Sequence, residues 1–346
     1  MKKSLLIATI AGSAAFAMGA SVHAQDISKI YKDRTVTILV GYGAGGTYGR
    51  TSLLLGTHLG KVIPGKPNIV VQHMPGAGGL KATAYAFNVM PKSGKNLLMP
   101  PEMIVASKLL RPKKVKYDVN KFTWLGRVFG QNSTLAVRAD SGVKTFNDLK
   151  GKQVIVGSSG KGSPTFLIPA MLNALTGSKL KIVTGYRGSR NMQLAMEQGE
   201  VQGLALGWTA WDSAKGAWFK GKKQFAHALV QSGYGPQKGI ENVPMVSSLL
   251  KNDEDKAVAR MLASASVIGR GLVLPPGASS SLVTPLRAAF ARITKDKKFI
   301  KDAYKRGLLV NPLTGKQIQK VVTDLTGMPE PIVKRARGII FGKKKG

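Results

Sequence analysis

Cysteine is absent from this 346-residue chain, Asp and Glu together number 17 against 52 Lys and Arg, and there are four histidines. Each shortage excludes something. Without thiols there is no disulfide framework, no cysteine nucleophile and no site for thiol acylation, so stability has to come from burial. Beyond residue 24 the histidines are His58, His73 and His227, too few for His-rich metal centres and a thin basis for nucleophilic triads. His58 lies in an amphipathic helical pattern and His227 beside a strand pattern, and both read as packed or surface side chains. Glu197 and Glu200 flank a helix end as capping or surface acids. The residues therefore nominate no catalytic group, no metal ligand and no cofactor.

Long apolar runs are also scarce. The most apolar stretch, Leu5 to Ala17, is shorter than the ~20 residues a bilayer requires and is broken by Gly12 and Ser13. With Lys2 and Lys3 before it and Val22-His23-Ala24 after it, residues 1–24 have the pattern of a signal peptide cleaved before Gln25. The expected location is the periplasm.

The charge is +35, or +33 once Lys2 and Lys3 leave with the signal. Such a field attracts anions, membranes and nucleic acid alike. A nucleic-acid reader would cluster its basic residues with aromatics or on a recognition element. Here they are spread in ones and twos, as at Lys113-Lys114 and Lys222-Lys223, with Lys343 to Lys345 as a solvated tail. Nucleic acid is not an expected partner.

Thr35 to Val40 is a continuous apolar, β-branched run bounded by glycine, the pattern of a buried parallel strand. A glycine turn and a helical pattern from Thr51 to Val62 follow, stopped by Pro64-Gly65. Asn68 to Gln72 repeats the strand, Pro75 to Gly79 the turn, and Leu80 to Asn88 the helix. Further strand patterns occur at Asn96 to Met99, Phe122 to Val128, Thr134 to Arg138, Gln153 to Val156, Lys181 to Thr184, Val201 to Leu206 and Val267 to Leu274. Helical spacing covers Thr165 to Leu175, Arg190 to Gln198, Leu282 to Ile293 and Lys316 to Leu325. Strand, glycine turn and helix in alternation predict an α/β protein with mostly parallel sheets in two similar halves.

The first turn, Gly41 to Gly46, matches the dinucleotide fingerprint between strand and helix. The acidic residue that should follow about twenty positions on, to hold the ribose, is missing, since no Asp or Glu lies between Arg50 and Pro101. The turn from Gly157 to Ser163 approaches a P-loop, but Ser163 stands where the phosphate-binding lysine belongs. What the turns at Gly43 to Tyr48, Pro75 to Gly79 and Ser158 to Ser163 share is free backbone N–H groups at the positive end of a helix, at the carboxyl ends of strands. That chemistry suits a small carboxylate; the plainer reading of any single turn is that Gly and Ser simply make it tight. Trp208, Trp211 and Trp218 cluster after the Val201 strand, with packing as the plainer role and a ligand-facing Trp208 the alternative.

In order, the stretches GYGAGGTYGR (41–50), IVVQHMPGAGGL (69–80), FNDLKGKQVIVGSSGKGS (146–163), GYRGS (185–189), QGEVQG (198–203) and GRGLVLPPG (269–277) resemble the substrate-binding proteins of tripartite tricarboxylate transporters, the Bug receptors. The resemblance implies a type II-like, two-lobed periplasmic-binding-protein fold, with residues 25–130 plus 266–346 in one lobe and 131–265 in the other. It implies a monomer closing over one small di- or tricarboxylate or aromatic carboxylate and delivering it to the membrane subunits of the transporter. Carried over residue by residue, the ligand-binding set is Tyr42, Gly43, Ala44, Gly46, Thr47, Tyr48, Gly76, Ala77, Gly78, Gly79, Ser158, Ser159, Ser163, Tyr186, Arg187 and Trp208. Two positions depart from the family pattern: Gly49 replaces an aspartate and Leu53 an arginine, while Arg50 and Arg187 offer charge near the mouth. A ligand sensor for a histidine kinase and an NADP-dependent enzyme remain the alternative readings.

Overall fold

The structure, a computed structural model, describes residues 27–342; the expected signal segment and the terminal lysines lie outside them. Strand β1 (Thr35–Val40) pairs in parallel with β2 (Asn68–His73) on one side and β3 (Asn96–Met99) on the other. Helices α1 (Thr47–Val62) and α2 (Leu80–Asn88) make the crossovers, and α3 (Ile104–Leu110) leads toward β4 (Thr123–Phe129). The chain then enters a second sheet with β5 (Ser133–Arg138). It continues through β6 (Val154–Ser158), α4 (Pro164–Thr176), β7 (Leu180–Thr184), α5 (Ser189–Glu197), β8 (Gly203–Gly207), α6 (Trp208–Lys215) and β9 (Ala226–Ser232). Helix α7 (Asp253–Ala263) precedes the return to the first sheet as β10 (Arg270–Leu274). Helices α8 (Ser280–Lys295) and α9 (Lys297–Lys305), strand β11 (Leu313–Thr314), and helices α10 (Gly315–Thr326) and α11 (Glu330–Phe341) complete the chain.

The sheets run β11-β4-β10-β3-β1-β2 and β7-β6-β8-β5-β9; most strands in each run the same way, as expected, and both are mixed because β10 and β11 in the first and β5 in the second run against the rest. In the first, β10 is antiparallel to β3 and β4; in the second, β5 is antiparallel to β8 and β9. The cause is topological. The parallel strands β1 and β6 end at the seam between the lobes, so a strand arriving from the other lobe starts there and must run the opposite way. Strands β5 and β10 are the first strands after the two crossings.

At the crossings the chain segments touch through glycine. A side chain on Gly130 would stand 2.0 Å from the Ser266 carbonyl oxygen, and one on Gly269, at φ +56°, would stand 2.0 Å from that of Phe129. Arg127 secures the junction, donating to the carbonyls of Val267 (2.5 Å) and Asn311 (2.8 Å) while the Asn311 side chain accepts from Gly130 N–H (2.8 Å). Burial lowers the Arg127 pKa to about 10, which leaves it charged at neutral pH.

Each lobe buries its own apolar core, and two helices link them. Ile104 and Val105 of α3 pack with Leu98 and Trp124 of the first lobe, whereas Met103, Ala106 and Leu110 join Val156 and Leu167 of the second. Helix α11 places Val333, Ala336 and Ile340 in the same second-lobe core. The last helix thus departs from the expected return of 266–346 to the first lobe, because its apolar stripe matches the open flank of α4 and α7.

Candidate functional site

Between the lobes lies a narrow, nearly closed cleft. Three helix starts line it: Gly46, Thr47 and Tyr48 of α1, Ser163, Pro164 and Thr165 of α4, and Gly188 and Ser189 of α5. None of these helices has a side-chain N-cap or an acidic residue in its first turn. The positive ends of three dipoles therefore face the cleft, with the leading N–H groups of α1 and α5. In α4, whose first residue is the donor-less Pro164 and whose Ser163 and Phe166 N–H groups are already bonded, the leading N–H is that of Thr165. Each helix start contributes roughly 0.3–1 kcal/mol and more where water is excluded.

The glycine turns explain how the backbones come this close. Gly41 lies against Gly79, where a Cβ would be 2.7 Å from the Gly79 Cα, and a Cβ on Gly78, at φ +70°, would be 2.6 Å from the Ser163 amide nitrogen. Across the seam Gly78 N–H donates to the Ser159 carbonyl (2.9 Å) and Gly43 N–H to the Arg187 carbonyl (2.7 Å). Arg50 donates from α1 to the Ser213 hydroxyl of α6 at 2.6 Å. These bonds hold the lobes shut.

The second-lobe wall is a hydroxyl cluster around Thr165. Its Oγ1 lies 3.0 Å from Ser158 Oγ and accepts from Ser159 N–H at 3.1 Å, and Ser163 Oγ is hydrogen-bonded to it as well. On the first-lobe wall Tyr42 and Tyr48 stack with ring centroids 4.2 Å apart. The Tyr42 hydroxyl donates to the Gly78 carbonyl, and Tyr48 oxygen accepts from Glu102 N–H, each at 2.9 Å. Burial pushes both phenols well above their ordinary range, so they stay neutral. Beside them Arg270 and Glu102, each with a side chain 4% exposed, form an ion pair, with the guanidinium 3.7 Å from the Tyr48 ring centroid. Burial alone would lower the Arg270 pKa, but the Glu102 carboxylate together with Tyr48 and Tyr42 outweighs it and the net shift is upward.

A family model described as NMT1/THI5 like matches residues 122–266, the second lobe with its crossings. No curated protein matches the chain. Among solved structures, the periplasmic binding protein BugD is similar at TM-score 0.70 and 17% identity, covering 88% of this chain and 98% of its own. An R. palustris protein solved with adipate is similar at 0.69 and 19%, covering 88% and 97%. MatC from Rhodopseudomonas palustris with bound malate is similar at 0.67 and 18%, covering 87% and 99%. The fold is that of a two-lobed periplasmic binding protein.

Within this binding-protein fold the residues nominated from sequence fall into groups. Tyr42, Gly43, Gly46, Thr47, Tyr48, Ser159 and Ser163 line the cleft. Gly76, Ala77, Gly78 and Gly79 form the turn that docks on the opposing Ser159 to Ser163 segment, and Ser158 is buried behind Thr165. Ala44 and Arg187 are exposed, and Arg187 meets the seam through its carbonyl. Tyr186 lies outside the lining, its hydroxyl 3.5 Å from Glu200. Trp208 packs on Phe219 in the second-lobe core rather than against the cleft. Gly49 faces His73, and Leu53 is 53% exposed. Sequence reasoning missed Glu102 and Arg270, together with Thr165, Ser189 and the apolar Met192, Leu206 and Ala210 of the lining.

Among the described residues no group of His, Asp and Glu could hold a metal ion, and no helix is long and apolar enough to cross a membrane.

Proposed function

We propose that this protein is a periplasmic receptor that captures one small organic acid in the cleft and delivers it to a tripartite tricarboxylate transporter. The observation that carries the reading is the meeting of three uncapped helix starts from both lobes in one cleft. A ligand carboxylate there takes up the N–H groups of Thr47 and Tyr48 from one lobe and the Ser159, Ser163 and Thr165 cluster from the other. An anion that bridges the lobes stabilises the shut form selectively, and that differential affinity is what drives closure. The seam bonds from Gly43, Gly78 and Arg50 form on closing, and the glycine contact of Gly130 with Gly269 is the pivot. The adipate and malate seen in structurally similar proteins support the ligand class, and a chain so cationic favours capture of anions.

A thermal-shift panel tests this. Mono-, di- and tricarboxylates, aromatic acids included, should contain at least one compound that raises the melting temperature saturably, while NADP and ATP leave it unchanged. Stabilisation by NADP alone would replace the receptor with a nucleotide-binding enzyme.

A further inference from the structure

Glu102 follows β3 and Arg270 opens β10, so the ion pair lies wholly within the first lobe and is complete before the lobes meet. Two buried charges are costly unless their remaining donors and acceptors are filled. Here they are not. Among the described residues Arg270 Nη1 donates to Glu102 Oε2 and Arg270 Nε is buried without a partner, while Glu102 Oε1 makes no hydrogen bond and is not fully enclosed, leaving it open to the cleft. Both side chains line the cleft that also holds the helix starts. As a structural brace the pair is half satisfied, which would make it poorer than apolar residues of the same size. As part of a binding site its free acceptor and donors are what a polar ligand would complete.

The Glu102 carboxylate also bears on the charge of the ligand. It neutralises Arg270, so this corner offers no net positive charge for a second carboxylate and offers instead an anionic acceptor to a donor group. We propose, building on the carboxylate reading of the cleft, that Glu102 held by Arg270 is a specificity subsite that accepts a hydrogen bond from the ligand. The ligand is then an organic acid bearing a hydroxyl or ammonium group, not a plain dicarboxylate. A ligand lacking that group would cover the carboxylate oxygen and shut it from water unpaired, which is why a hydrogen-bonding site rejects the missing group more strongly than an apolar site rejects an added one.

Matched sets differing at one carbon read this directly: succinate, malate and aspartate, then glutarate, 2-hydroxyglutarate and glutamate, then phenylacetate, mandelate and phenylglycine. By isothermal titration of the full mature protein, the hydroxy or amino member of the set that binds should exceed the unsubstituted member by about tenfold or more. In Glu102→Gln the ratio should shrink several-fold, and the double variant E102Q/R270Q, which leaves no lone buried charge, should shrink it too if the single variant proves too unstable to titrate. Equal or tighter binding of the unsubstituted acid by the wild-type protein overturns the subsite while leaving the carboxylate receptor standing. A preference that survives in both variants also overturns it. Failure of every acid in all three sets, alongside a flat carboxylate thermal-shift panel, overturns both.

Discussion

At the scale of single residues, the cleft depends on groups whose polarity is fixed by their surroundings. Thr165 is the hub of the second-lobe wall, since its Oγ1 meets Ser158, Ser159 and Ser163. Thr165→Val keeps the shape and removes the hub; carboxylate affinity should fall about tenfold with the far-ultraviolet circular dichroism unchanged. The buried phenols predict the alkaline behaviour. Tyr31 is fully buried with its hydroxyl on the Gly94 carbonyl, and burial raises its pKa from 10.0 to about 12. The unfolded chain therefore ionises at this position first, and stability present below about pH 10 is lost as pH rises toward about 12. Urea unfolding across that window should show the fall, and Tyr31→Phe should make it shallower.

At the scale of elements, the glycine turns have two duties. The turn after β1 opens a helix onto the cleft, whereas the turn after β2 closes the seam. Gly78 is at φ +70° and a Cβ on it would come within 2.6 Å of the Ser163 amide nitrogen, so Gly78→Ala should strain its own turn modestly and penalise the shut form further. The expected result is a slightly lower melting temperature without ligand and a ligand-induced rise weakened beyond that offset.

The same elements show what could be read in the sequence. The runs Thr35 to Val40 and Asn68 to Gln72 are β-branched and bounded by glycine, and they became β1 and β2 because local pattern and burial agree there. Gly46, Thr47, Ser159 and Ser163 lie within the turns themselves, so a local motif marked them. Glu102 and Arg270 lie 168 positions apart, Glu102 in no motif and Arg270 in the 269–277 stretch, which assigns it no role, and only the insertion of β10 between β3 and β4 brings them together. The antiparallel strands escaped notice for the same reason, since direction in a sheet follows from where the chain crosses. Trp208 is open to two readings in the sequence because an aromatic after a strand looks the same whether it faces a ligand or packs, and it lies against Phe219, in line with the plainer one.

At the scale of the whole molecule, two lobes joined by a glycine contact and linked by helices α3 and α11 are further tied by a few bonds across the seam. Arg50 is one such bond, to Ser213, and Arg50→Ala should favour the open form. Small-angle scattering should report a larger radius of gyration for that variant without ligand, with contraction restored by saturating ligand. A formal charge of +35 further predicts that association with an anionic ligand slows as salt is added, because screening shortens the reach of the field. The account as a whole rests on where the ligand's carboxylate sits. A crystal structure of the protein with the tightest-binding acid settles it: the carboxylate should lie against the N-termini of α1 and α4, within hydrogen-bonding reach of Thr47 and Ser163. An acid found elsewhere, for instance in the larger space beside Trp208 and Asn311, would contradict the account.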